Sequence, residues 1–514
     1  MSRNFKAFTR DISVIFSGTF LSRLLGFVRD VLIARFFGTG PALEAFLVAF
    51  KLPNFFRFLM GEGASDSVIV PVLSEYRDKK ELYLIGRKVI SFSLLILSII
   101  TVGGIVFSRF IITITAPGFI SDPFKFHLSV IITKIVFPYL IFMGISANIG
   151  ALFSVKNRFF VPSFSPIILN LVLIIAIFLS GYYFNKSIFI IAIAVLAAGF
   201  LQFLWYGINI SREKEFKFGF DFRPDRALTK MFKLSLPRIL SAAIYNLNVL
   251  VDTILASFSF IVGTGAIAAI YYSQRIIQTA VAIFTLSISR AAIPKLSYAA
   301  AHNDINDFKH ILSFAFEILA LIIIPLSGFI FLFSSLIIEV IFKRGSFGGY
   351  SVMITASTLS FYSLGLFFFS INILMIRAFY SLQDTFTVAK VSLKSFLINL
   401  VLNITLMFPL KVGGLALASS LAAALTSFML QRRLRGKIGA VDSGLLREIL
   451  KIILASILML IISFSLRSYL NFSHHFVALI FFLIVGFCSF VIWGWILNIK
   501  TLRRLLLWLN SKNR

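Results

Sequence analysis

The chain has 514 residues, of which 59% are hydrophobic and 14% charged, and its 49 Lys and Arg against 21 Asp and Glu leave a formal charge of +28. So little charge cannot cover the surface of a water-soluble protein of this length, and the apolar residues gather in runs of about 20, the length that crosses a hydrocarbon layer ~30 Å thick. A soluble globular chain is excluded; so is a nucleic-acid binder, because the basic residues lie in short loops and within the apolar runs rather than on one basic face.

Arg3, Lys6 and Arg10 precede a first apolar run that itself holds charges and lacks a small-residue cleavage site, so it is expected to be a retained span. Fourteen helical spans are predicted, near 11–37, 44–75, 88–111, 128–154, 161–181, 187–210, 230–260, 264–291, 311–334, 350–376, 385–409, 412–431, 446–469 and 475–498. Gly61 and Gly63 interrupt the long second run and predict a broken helix there. With the N-terminus inside, alternate loops should carry the Lys and Arg. They do: Arg77-Asp78-Lys79-Lys80, the stretch from Arg212 to Lys233, and Arg432-Arg433-Leu434-Arg435 all fall on that side. Both termini are therefore expected in the cytoplasm.

An internal repeat runs through the chain. Asp30-x-x-Ile33-Ala34 recurs as Asp252-x-x-Leu255-Ala256, Gly38-Thr39-Gly40 as Gly263-Thr264-Gly265, and Pro71-x-Leu73-Ser74 as Pro294-x-Leu296-Ser297. Ser146-x-Asn148 recurs as Ser370-x-Asn372, and Asn170-Leu171-Val172-Leu173 as Asn399-Leu400-Val401-Leu402. The offset stays near 222–229 residues. Six spans per copy is an even number, so both copies enter from one side as parallel repeats about an axis along the membrane normal. The fold class expected is an all-α polytopic membrane protein: two six-helix lobes, residues 1–215 and 216–435, around a central cavity, with two further spans and a basic tail in 436–514.

Basic residues remain inside the predicted spans: Arg23, Arg29, Arg35, Lys51, Arg57, Lys134, Arg238, Arg275, Arg290, Lys390 and Lys394. Each costs roughly 2.5–3.5 kcal/mol at a helix centre and less near its ends. Snorkelling accounts for Arg35, Arg238, Arg290, Lys390 and Lys394; Arg23, Arg57 and Arg275 lie deeper. Arg29 has Asp30 beside it, and Glu44 and Lys51 share a helical face, so internal ion pairs and a ligand role are both open for these four. Embedded bases outnumber acids in the first two spans, which predicts a cationic cavity and an anionic ligand. Guanidinium forks match the paired oxygens of phosphate or carboxylate.

No P-loop, HExxH or GxSxG is present, and the single cysteine, Cys488, sits in the last apolar run. His474-His475 stands at a membrane boundary and is not expected to bind metal. The chain reads as a transporter rather than an enzyme, driven by ions or membrane potential.

Ser22-Arg23-Leu24-Leu25-Gly26-Phe27-Val28-Arg29-Asp30 and Ala45-Phe46-x-Val48-Ala49-Phe50-Lys51-Leu52-Pro53-Asn54-x-x-Arg57 resemble signatures of the MurJ (MviN) lipid II flippases, within the multidrug/oligosaccharidyl-lipid/polysaccharide exporter superfamily. So do Gly61-Glu62-Gly63-Ala64, Pro71-x-Leu73-Ser74-Glu75-Tyr76, Ala116-Pro117-Gly118-Phe119 and Phe137-Pro138-Tyr139. The resemblance covers about residues 10–430 and continues more faintly beyond. It implies that Arg23, Arg29, Arg57 and Arg275 bind substrate, and that Asp30, Glu44, Lys51 and Glu62 serve gating or ion pairing. The last two spans would form a groove for the lipid tail. It also implies a sodium site at Asp252, Asn399, Asn403 and Ser419. Here the sequence departs from the pattern, since Asn403 stands where some relatives have an acid, and Gln274 and Gln278 flank Arg275 in place of Asp and Glu.

The function implied is translocation of lipid II, the undecaprenyl-diphosphate-linked peptidoglycan precursor, from the inner to the outer leaflet of a bacterial inner membrane. Membrane lipid and lipid II are the expected partners, with a monomeric transporter in association with cell-wall synthesis proteins. Rival readings are a flippase for another polyprenyl-diphosphate oligosaccharide such as an O-antigen unit, a cation-coupled multidrug antiporter, and a scaffold without transport.

Overall fold

The computed structural model describes residues 3–58, 68–76, 78–217, 219–439, 443–470 and 472–512. Among them the regular elements are all helical, as a bilayer requires when it offers backbone groups no water. One compact unit, Met1–Phe258 with the loop Arg344–Phe347, holds ten helices in chain order. These are α1 (Arg3–Phe37), α2 (Pro41–Phe58), α3 (Val70–Leu73), α4 (Lys79–Val106), α5 (Ser108–Thr115), α6 (Pro123–Val136), α7 (Tyr139–Val155), α8 (Phe160–Tyr183), α9 (Ile188–Ser211) and α10 (Arg226–Ala256). The second unit, Ser259–Lys343 with Gly348–Arg514, begins with α11 (Ser259–Val262), α12 (Ala266–Ala280) and α13 (Leu286–Ala301), the last two joined by a π-helical turn, Val281–Thr285. It continues with α14 (Ile305–Phe342), α15 (Gly349–Ser381), α16 (Thr385–Ile438), α17 (Ser443–Tyr469), α18 (His475–Ile496) and α19 (Lys500–Lys512).

Aspartates set many of the helix starts. The carboxylates of Asp78, Asp122, Asp225, Asp304 and Asp384 accept from N–H groups in the first turns of α4, α6, α10, α14 and α16, a cap worth about 1 kcal/mol each. Gly38 ends α1 with φ +58°, and a Cβ there would stand 2.4 Å from the Ser346 carbonyl oxygen. Only glycine meets both demands. Gly263, its partner in the repeat, also has positive φ. The repeat is thus visible in local geometry, and it extends to a pair the motifs did not include: Asn157 (φ 56°) and Gln383 (φ 57°).

Eleven helices among the described residues are long and apolar enough to cross a membrane, so the expected fourteen is not reached by that measure. Four of the predicted spans account for the difference of three. The spans at 385–409 and 412–431 both lie in α16, which breaks after Pro409 at Lys411 (φ 54°, ψ −136°). The chain folds back there, because a Cβ on Gly414 would lie 2.0 Å from the Leu406 carbonyl oxygen and the two ends of α16 meet through Asp384 and Lys437. The span at 44–75 comprises α2 and α3; its expected break at Gly61 and Gly63 lies outside the described residues. The span at 230–260 falls in α10, where the side chains of residues 236–246 lie outside the described residues and Leu247–Ala256 is an apolar stretch.

Within the first unit a core forms where α4, α7 and α9 meet, around Leu82, Tyr83, Leu152 and Tyr206. Large apolar side chains elsewhere face outward, among them Phe16, Phe20, Ile99, Phe110 and Phe487; in water such a surface would aggregate, and in lipid it is the solvent-facing side. Some interior hydroxyls turn back on their own helices, as Ser129 to Lys125 and Thr426 to Ala422 (2.7 and 2.6 Å to the carbonyl oxygens), which satisfies them without a partner helix.

Asp384 has a pH-dependent role. Its carboxylate accepts from Lys437 Nζ and from the Thr387 N–H and is held at about 2 by those bonds, Lys437's first. The unfolded value is about 3.9. A depressed carboxyl stabilises the fold above its unfolded value and loses that contribution as pH falls through the folded one. Acidification from about pH 4 toward pH 2 should therefore lower the Tm of the native chain more than that of Asp384→Asn. Equal losses in thermal scans of the two proteins would remove Asp384 from the account.

Candidate functional site

The embedded charges of α1 and α2 are the centre of the first unit's polar chemistry. α1 is one continuous helix through Gly26, with Arg23 and Arg29 six residues apart along it. Arg29 is clamped: its Nε and Nη2 donate to Asp30 Oδ1 at 3.0 and 2.7 Å, and its Nη1 donates to Asn170 Oδ1 at 3.1 Å. Asn170 on α8 in turn donates to the Ser22 carbonyl at 2.9 Å and sits over Gly26, where a Cβ would be 3.6 Å from its Oδ1. Asp30 is fully buried. This knot fixes the guanidinium of Arg29 between two helices, as a buried charge requires.

Arg23 is the opposite case. Its side chain is exposed and makes no hydrogen bond or ion pair with the described residues. Arg275 on α12, in the second unit, is half-buried, with its guanidinium 5.9 Å from the centre of the Tyr271 ring. The neighbouring Gln274 donates to Tyr362 Oη at 3.2 Å, while Gln278 is exposed. Arg57 belongs to α2, but its side chain lies outside the described residues, as does Glu62.

Glu44 and Lys51 go to different partners. Glu44 is buried and pairs with Lys125 of α6 at 2.7 Å, and the Lys125 ammonium also lies 5.3 Å from the centre of the Phe119 ring. Lys51 donates to the Val249 carbonyl at 2.9 Å and to the Thr253 hydroxyl, beside the buried Asp252 on α10. The helical-face argument for a Glu44–Lys51 pair is therefore corrected, because a bidding lysine on a packed neighbour is closer than one two turns away on the same helix. Lys125 had no signal of its own: it falls in a segment read as an outside loop. In the second unit Asn403 Nδ2 donates to Asn399 Oδ1 at 3.0 Å and Asn399 Nδ2 to Ser419 Oγ at 3.5 Å, so these three polar residues do come together.

A second polar group, not anticipated, closes the basic end of the first unit. Glu213, in the loop after α9, accepts from Tyr83 Oη at 2.9 Å and from Lys156 Nζ at 2.8 Å, and pairs with Arg158. Burial pushes its carboxyl up, but the bonds from Lys156 and Tyr83 and the two positive charges outweigh that and hold it below the ordinary value. Further along the loop, Asp221 pairs with Arg87 at 3.5 Å and Asp225 with Lys88 at 2.8 Å. The acids that stand out from the basic loop between Arg212 and Lys233 are what tie it to α4.

Residues 33–486 match the family model described as lipid II flippase MurJ. The probable lipid II flippase MurJ of Buchnera aphidicola subsp. Baizongia pistaciae is 34% identical over 453 residues, 87% of either chain. A solved lipid II flippase MurJ in an inward closed conformation superposes with a TM-score of 0.82 at 26% identity, covering 96% of this chain and 99% of that one. An inward-facing multidrug resistance MATE family transporter of the MOP superfamily superposes at 0.67 and 15% identity, over 83% of this chain and 98% of that one, a likeness of fold.

Proposed function

The chain belongs to the lipid II flippase MurJ family, and we propose that it carries the diphosphate headgroup of lipid II across the cytoplasmic membrane by alternating access. Family membership over most of the chain supports the substrate. The observation that carries the mechanism is the retention of guanidinium groups within membrane-spanning helices, where each is costly unless it serves a ligand or a partner. Arg29 has its partners in Asp30 and Asn170; Arg23, with none among the described residues, is the side chain left to meet an anion. In this reading Arg23, Arg57 and Arg275 bind the diphosphate, and Arg29 holds its place as a fixed positive charge. Glu44, Lys51, Asp30 and Glu62 bias the conformations that alternate.

The headgroup enters sideways from the inner leaflet, the repeat lobes being residues 1–215 and 216–435, while the polyprenyl tail stays in lipid along 436–514. The chain acts as a monomer in the inner membrane with both termini inside, in association with cell-wall synthesis proteins. An inside-negative potential favours outward movement of negative charge by ~2.3 kcal/mol per charge per 100 mV. Sodium coupling belongs to the same proposal: Asn399, Asn403 and Ser419 offer the oxygen donors a hard cation takes, and a sodium role for Asp252 requires displacing the Lys51 ammonium beside it.

Depletion of the protein in its own host, with lipid II on the outer leaflet measured by labelling, tests the function. Retention of lipid II inside, reversed by the intact chain, is expected. Normal exposure with an unaffected cell wall would reassign the chain to another lipid-linked oligosaccharide.

A further inference from the structure

We propose that the basic end of the first unit is a binding site for the phosphate of a lipid headgroup, separate from the embedded arginines. The inference deepens the lipid-linked diphosphate reading and rests on it. A cavity of about 330 Å³ opens there between the start of α1, the α7–α8 turn and the end of α9, at the lower end of ligand-sized pockets. Arg10, Arg158 and Arg212 line it, with the amides of Asn157 and Asn209. Arg212 makes no side-chain hydrogen bond or ion pair with the described residues, and Arg10 only a loose contact with Asp11 at 3.7 Å. Arg158 pairs with Glu213, but that carboxylate is shared with Lys156. The positive charge gathered here exceeds what the local acids neutralise.

The repeat shows what is missing. About 225 residues after Arg158 and Arg212, at the same turn and the same helix end of the second copy, stand Asp384 and Lys437. The turns match in backbone, Asn157 and Gln383 having φ 56° and 57°. In the second copy the Asp384 carboxylate caps α16 and pairs with Lys437 at 2.7 Å, so that site supplies its own anion. In the first copy Arg158 follows the turn in place of that carboxylate, Phe159 stands at the N-cap of α8 (Phe160–Tyr183) with no side-chain cap, and a second arginine stands where Lys437 does. The anion that completes this end must come from outside the chain. Open N–H groups at a helix start and guanidinium forks both select phosphate. Phe160, exposed and lining the cavity, and the outward Phe16 and Phe20, further along α1 from Arg10, present an apolar surface to lipid, which favours a phosphate carried on a lipid over one free in solution.

The test is binding of a short-chain polyprenyl diphosphate, phosphatidylglycerol and inorganic diphosphate to the purified full-length chain by native mass spectrometry. Arg10→Gln combined with Arg212→Gln removes charges that hold no other part of the fold, and should weaken the polyprenyl diphosphate roughly tenfold. Phe159→Asp gives α8 the cap that α16 has; it should weaken binding likewise and raise the Tm. Loss for the polyprenyl diphosphate alone makes this a loading position for the substrate, and loss for both lipids makes it a site for phosphate-bearing lipid in general; either supports the proposal. Unchanged binding in both variants, or inorganic diphosphate bound as tightly as the lipids, overturns it. Failure of the flippase reading is distinct, since it appears as absent lipid II transport by the unaltered chain whatever these variants bind.

Discussion

Arg23→Ala is expected to abolish lipid II exposure on the outer leaflet while the protein remains folded and inserted. The two halves of that expectation have separate physical grounds. Arg23 sits well inside α1 (Arg3–Phe37), yet its side chain is exposed and pairs with nothing described, so truncation leaves no buried acid or amide without its partner. Stability should change by less than ~0.5 kcal/mol, as for substitutions away from buried networks. A bidentate guanidinium–phosphate contact is a charge-assisted bond worth ~1.5–3 kcal/mol, and its loss lowers binding by about 10- to 100-fold. Arg29→Ala would not give this clean separation, because Asp30, fully buried, and Asn170 would lose the group between them. The measurement is outer-leaflet lipid II in cells relying on the variant, with immunoblot and thermal melting of the same protein. Arg23→Lys keeps the charge but not the fork and should restore transport only in part. Full transport by the alanine variant would remove Arg23 from the substrate path.

What the sequence showed and what it hid divide along the range of the interaction. Features set by one residue's own conformation were legible: Gly38 and Gly263 recur because each ends a helix at positive φ, and apolar runs of bilayer length give helices wherever charge is sparse. Neighbouring charges were legible too, since Arg29 and Asp30 are adjacent and do pair. Tertiary partners were not. Glu44 and Lys51 lie on one helical face, but Glu44 reaches across to Lys125 and Lys51 across to α10, because packed neighbours offer buried partners that no periodicity announces. Asn170 was visible as a repeated motif, but its role in holding Arg29 over Gly26 needed α1 and α8 in contact. The count of fourteen differs from the eleven apolar helices among the described residues because the Lys411 turn joins two spans in one helix, α2 carries Glu44, Lys51 and Arg57 in 18 residues, and part of α10 lies outside the described residues.

The same distinction decides what Glu44→Gln should do. If the Glu44–Lys125 pair is a fixed element of the first unit, neutralising Glu44 takes from the buried ammonium its carboxylate partner at 2.7 Å, while the Asp122 carboxylate stands at 4.0 Å and is far more exposed. Breaking a buried pair from one side costs ~3–5 kcal/mol, which should appear as a large fall in Tm of the purified chain. Removing both charges, Glu44→Gln with Lys125→Met, should recover most of it, because the penalty lies in the stranded charge rather than in the lost attraction. Lys51→Met provides the control: its bonds run to Val249 and Thr253, so its effect should add to that of Glu44→Gln within about 0.5 kcal/mol, as for sites without a shared partner. Strong coupling of Glu44 to Lys51 rather than to Lys125 would reverse the pairing. A Glu44→Gln chain of unchanged Tm that no longer moves lipid II would make the pair a part of the transport cycle instead of the scaffold, since a contact that is broken during each turnover need not hold the folded state together.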